Sequence, residues 1–166
     1  MTRRTAIWLV PVVLAVHNAE EALAFRRFLP RLASSLPGPL RLIEQRLTFG
    51  SMLAVLVLVT LVGVAVALWS TFRPRSQVAL WAVFAVVATI ALNVGSHVVS
   101  AIAIVRGYAP GLVTAAVVNA PFAVYLFRRA AREHWLSRRA LLWTIPAALA
   151  LHGPVLVGTL WLAGTW

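Results

Sequence analysis

The sequence has no cysteine, no lysine and no aspartate. Without cysteine there are no disulfides and no thiolate chemistry, so any metal must be held by histidine, glutamate, asparagine or backbone. All 15 basic residues are therefore arginine. They are opposed by four acids, Glu20, Glu21, Glu44 and Glu133, for a formal net charge of +11. Polar sequence is scarce as well. With 61% hydrophobic residues, 11% charged residues and a mean hydropathy of +0.89, an ordinary soluble domain is excluded. No glycine-rich phosphate loop and no nucleophile elbow is present.

What is there is a set of apolar runs punctuated by arginine. Crossing ~30 Å of hydrocarbon at ~1.5 Å per residue takes about 20 residues, and five stretches qualify: 5–25, 48–71, 77–105, 111–127 and 140–164. The expected fold is all-α, one polytopic transmembrane helix bundle of about five helices over residues 1–166. Between Arg26 and Leu47 lie Pro30, Pro37, Gly38 and Pro39 with five arginines, a composition that suits either an interfacial helix or a loop. The other connections are short and force neighbouring helices antiparallel.

In a soluble chain the charge would suggest nucleic acid. Here the arginines cluster at the ends of apolar runs, where they anchor helices and meet anionic headgroups, so the bilayer is the expected partner and nucleic acid is not. Nine of them fall at the N-terminus and in the second and fourth connections, which favours a cytoplasmic N-terminus. Arg3, Arg4, the run behind them and Ala22-Leu23-Ala24 also have the form of a signal peptide. The ionisable His17, Glu20 and Glu21 inside that run argue for a retained helix.

Those three residues are the first candidates for chemistry. On a helix advancing ~100° per residue they share an arc of about 100°, and spacings of three and four let side chains meet a common ligand. The third run carries Asn93 and His97, with Thr89, Ser96 and Ser100 on the same stripe. The fourth carries Asn119 just before Pro121, and the fifth His152 just before Pro154. Counted from the helix ends, His17, His97, Asn119 and His152 all fall roughly 12–18 Å from one membrane face. A charge at mid-bilayer costs at least ~2.5–3.5 kcal/mol, so these groups should face one another across the bundle interior. Pro121 and Pro154 each free a carbonyl one turn back, at 117 and 150.

Three uses fit such a cluster. Histidine and glutamate can hold Zn, Fe or Mn, and His17, Glu20, Glu21 and His97 are the candidate ligands. The same four residues can instead run acid/base catalysis without a metal on a hydrophobic or lipid-like substrate, with Asn93, Asn119 and His152 orienting it. The third use is non-catalytic: the groups bind a small hydrophobic ligand, conduct protons or ions, or simply hold helices together. The expected function is an intramembrane hydrolase, isomerase or cyclase, with the non-catalytic reading as the alternative.

The stretch His17-Asn18-Ala19-Glu20-Glu21 resembles the signature of the HXXEE-domain family, small bacterial integral membrane proteins of about this length. Asn93, His97 and Asn119 resemble its further polar positions. The resemblance implies a bacterial plasma-membrane protein, and its polar pattern invites an enzyme reading without supplying a substrate. A weaker similarity, to CAAX-processing intramembrane proteases, breaks down at the residues. Phe25 stands where an arginine should follow the paired glutamates, Asn93-x-x-x-His97 reverses the expected order, and eight helices are more than this chain can supply.

Overall fold

The computed structural model describes residues 1–35, 48–104 and 106–163, and every regular element among them is helical. Five helices follow one another. They are α1 (Arg3–Ser35), α2 (Phe49–Phe72), α3 (Gln77–Val99, prolonged by a π-helical turn at Ser100–Ile104), α4 (residues 112–132) and α5 (Arg138–Ala163). Four of them, all but α4, are long and apolar enough to cross a membrane. Asn119, Pro121 and the arginines at 128, 129 and 132 interrupt the apolar character of α4, although it is one continuous helical run.

The first expected span ended at residue 25, but the helix does not. α1 continues through Pro30 to Ser35. A proline there removes only one intrahelical hydrogen bond, while the far end of α1 gains lateral contacts. Phe25 is buried beside Val55 and Leu160, Phe28 meets Tyr108 edge to face at 5.4 Å between centroids, and Arg26 lies 4.3 Å over the Phe49 ring. The first ten residues of the expected interfacial segment are therefore α1 itself. The rest, 36–47 with Glu44, lies outside the described residues.

Local sequence explains the helix starts. Thr48 and Ser51 form a reciprocal capping box on α2, and the Ser76 and Ser137 hydroxyls accept from Ala79 N and Ala140 N at 3.1 Å each. The arginine-rich ends meet on one side of the bundle. Arg3 donates to the Pro74 carbonyl (3.0 Å), and Arg129 donates to the Met1 carbonyl (2.7 Å) and to Glu133 (2.6 Å). Next to these ends α1, α3 and α4 enclose a dry core of Val10, Val83, Phe84, Val87 and Leu126, with Phe84 edge-on to Phe127 and Trp135. Gly63 lets α2 come against Pro11 and Leu14 of α1. Half of the most apolar window of α3 is buried but only 11% of that of α5, so α5 is the peripheral helix.

Candidate metal centre and cavity

Beyond the dry core, toward the other end of the bundle, the polar side chains gather around His17, which is 1% exposed. Its Nδ1 lies 2.8 Å from the Thr114 hydroxyl. Its Nε2 lies 2.7 Å from Asn93 Nδ2, 3.2 Å from His97 Nε2 and 3.8 Å from Glu21 Oε2. An amide nitrogen only donates, so His17 Nε2 accepts from Asn93 and the ring proton sits on Nδ1, donating to Thr114. Ser96 supports this orientation of Asn93 by donating to Asn93 Oδ1 at 3.1 Å. The tautomer fixed in this way leaves the Nε2 lone pair directed at His97 and Glu21.

His17, His97 and Glu21 can each present a ligand atom with all three within 4.8 Å of one another. Two nitrogens held ~2.0–2.1 Å from a tetrahedral ion lie about 3.3 Å apart. The observed separation of 3.2 Å matches that span. Two imidazoles and a carboxylate form a three-residue ligand set of the kind that leaves a fourth position open, and a second partner on Nδ1, here Thr114, is the usual way to orient a ligating histidine. The Asn93 amide shares the same lone pair and would have to release it for a metal to bind.

The neighbouring glutamate has a different task. Glu20 turns away from His17 and takes hydrogen bonds from Thr114 N (2.7 Å), Val113 N (3.3 Å) and the Tyr108 hydroxyl (2.5 Å). α4 begins at Gly111, which has no side chain to cap it. The carboxylate of α1 supplies that cap and sits where unpaired N–H groups and the helix dipole favour an anion. Burial and this hydrogen bond to Glu20 push the Tyr108 phenol up to about 12. Glu20 thus lies outside the His17–Glu21–His97 group, and the adjacent acids are divided between the histidine pair and the helix cap.

Gly111 itself is packed against the site. Its φ is +80°, and a Cβ there would stand 2.8 Å from His97 Cε1 and 2.9 Å from His17 Cε1. Only glycine combines that backbone with that approach. Sequence reasoning treated Gly111 as the start of a run and passed over Thr114 and Tyr108. An isolated threonine in an apolar run, or an isolated tyrosine in a short connection, carries no pattern that would have found them.

The remaining candidates lie around this centre. His152 contacts Ser96 (3.2 Å), which in turn is bonded to Asn93. Asn18 belongs to the packing, with its amide donating to the Leu56 carbonyl (2.9 Å) and Thr60 Oγ1 (2.8 Å) on α2. Asn119 is fully buried, and neither its Oδ1 nor its Nδ2 has a partner among the described residues. A buried polar group without a partner costs about 1–3 kcal/mol. It ends a π-helical turn, Ala115–Asn119, just ahead of Pro121, and a second such turn, Leu151–Val155, holds His152 and Pro154. Each helix carrying His97, Asn119 or His152 is therefore irregular at that residue or within one turn of it, and π-turns often mark functional positions.

His17, Glu21, Asn93, Asn119 and His152 line a cavity of about 210 Å³. Most of the remaining lining is apolar and includes Leu14 on α1, Val55 and Val59 on α2, Ile90 on α3 and Leu156 on α5.

Residues 8–126 match the family described as a protein of unknown function with an HXXEE motif. The chain belongs to that family. Its motif residues are His17, Glu20 and Glu21, which the structure divides between the histidine pair and the α4 cap. The HXXEE match takes in α2, α3 and the Asn119 turn, whereas His152 and α5 lie beyond it. No curated protein and no solved structure matches the chain.

Proposed function

We propose that the protein is an intramembrane enzyme that acts on a hydrophobic or lipid-like molecule at a metal centre held by His17, His97 and Glu21. The observation that carries this reading is the convergence of three ligand atoms within 4.8 Å, with two of the three residues, His17 and Glu21, lining a largely apolar cavity. Zn, Fe or Mn suits the donor set, and such an ion would supply Lewis acidity to a bound carbonyl, ester or water. Thr114 holds His17 in the ligating tautomer, Gly111 fixes the spacing of the two rings, and the apolar walls exclude water. His152, joined to Asn93 through Ser96, is placed to hold a proton in the same cavity. We place the arginine-rich end, with the N-terminus, on the cytoplasmic side of a bacterial plasma membrane.

The test is elemental analysis of protein purified without chelators or metal-binding tags, beside His17→Ala, His97→Ala and Glu21→Gln. About one equivalent of Zn, Fe or Mn in the wild type, lost in all three variants, is the expected result. A folded wild type that carries no metal and takes none up would leave acid/base chemistry or a non-catalytic role. The cavity also supports a hydrophobic-ligand carrier, which differs in that the ligand is recovered unchanged.

A further inference from the structure

Most polar side chains in the cavity wall already have partners. Asn18 donates to α2, Asn93 is paired with His17 and Ser96, and His152 with Ser96. The Thr89 and Thr159 hydroxyls donate to carbonyls one turn back on their own helices. Glu21 belongs to the histidine pair. Asn119 alone offers this wall both a buried donor and a buried acceptor with no partner among the described residues.

The cavity also has a side opening. Leu58 and Val62 on α2 and Leu151 and Val155 on α5 line it and yet are exposed on the outer surface. α2 packs on α5 along Leu156–Ala163 and makes little contact with the stretch before it, so the two helices are apart at mid-length. That gap faces the hydrocarbon layer.

We propose that the cavity takes a single alkyl chain ending in an uncharged head that both donates and accepts hydrogen bonds, a primary alcohol or amide. Asn119 reads the head, and the gap between α2 and α5 admits the chain from the bilayer. This deepens the enzyme reading by naming its substrate class. The head is uncharged because no arginine among the described residues lines the cavity, because a carboxylate would face Glu21, and because an ammonium offers no acceptor to Asn119 Nδ2. As to size, an apolar cavity of ~150 Å³ accommodates benzene, so 210 Å³ corresponds to roughly eight to ten heavy atoms.

The experiment uses the full chain in phosphatidylcholine nanodiscs and a seven-carbon alcohol carrying a mid-chain diazirine, with cross-linked residues mapped by mass spectrometry. Amide, methyl ether, carboxylate, ammonium and headless alkane analogues complete the series. The expected result is labelling at cavity residues of α2 and α5 by alcohol and amide, roughly five- to tenfold above the other analogues. Asn119→Leu, which keeps the volume, should reduce the alcohol to the alkane level, and Val155→Trp should block labelling by closing the gap. Even labelling over all lipid-facing surfaces, equal labelling by the alkane, or an unchanged Asn119→Leu would overturn the proposal. The last outcome would assign Asn119 to buried water. Should Asn119→Leu fail to fold, the head-group series on the wild type and Val155→Trp decide the matter. Metal content is read on the same samples. Selective labelling without metal sinks the metal-enzyme reading and keeps the ligand class, whereas metal without selective labelling does the reverse.

Discussion

Gly111→Ala puts a single methyl group between the two histidines. The backbone at φ +80° costs an alanine about 1–2 kcal/mol, because Cβ crowds the following carbonyl. The new Cβ would also stand 2.8 and 2.9 Å from ring carbons of His97 and His17. Both rings are held in place, His17 at each nitrogen, so the contact cannot be relieved by a loose side-chain end. Overpacking of this kind costs about 1–3 kcal/mol. Together the penalty is about 2–5 kcal/mol. If the strain is relieved by moving the rings, metal affinity falls roughly 30-fold to several-thousand-fold. If it is relieved by the fold, the melting temperature falls by roughly 4–20 °C. Competition titration against a chelator, with thermal melts on the same samples, reads both routes. Gly107→Ala is the control, because it lies in the same connection with ordinary backbone and nothing within 4 Å of its Cβ. A Gly111→Ala protein with the melting temperature and metal affinity of the wild type would refute the packing argument.

Three further outcomes follow from the geometry. Glu21→Gln should lose metal, while Glu20→Gln should keep most of it but lower stability by about 1–3 kcal/mol, since Glu20 caps α4; the opposite pattern in paired metal analysis and melts would show that the roles are reversed. Tyr108 has its phenol raised to about 12, so its neutral form stabilises the fold fully below its ordinary value near 10, and that contribution disappears as the pH rises through about 12. An ultraviolet difference titration should lose its latest step in Tyr108→Phe, and an unchanged curve would place that step elsewhere. Asn18→Ala should weaken the α1–α2 pairing by about 0.6–2 kcal/mol in a denaturing-detergent titration while leaving metal content intact.

Hydropathy and arginine placement were enough to read five helices, because both follow from the cost of polar groups in hydrocarbon. The gathering of His17, Asn93, Asn119 and His152 around one cavity, with His97 against His17, was equally legible, since counting depth along antiparallel helices needs only the rise per residue. The end of α1 was misread at Arg26 because local proline signals were weighed without the contacts of Phe25, Arg26 and Phe28. The division of labour between Glu20 and Glu21 could not be read either. Adjacent residues on a helix differ by ~100°, and which of them meets His97 depends on where α4 begins. That beginning is set by Gly111, whose packing is visible only in three dimensions.

The π-turns at Ala115–Asn119 and Leu151–Val155 change how α4 and α5 should be altered. Such a turn accommodates one residue more than a regular helix, so the segment beyond it is displaced in phase by roughly 100° from a continuous helical wheel. A wheel drawn straight through α5 would set Leu160 about 160° away from Thr144, although both are buried. The irregular turn at Leu151–Val155 therefore works as a gearing step, letting α5 turn Thr144 inward at one depth and Leu160 inward at another. Removing a single residue there would return the helix to regular winding, and its two faces could no longer both point inward.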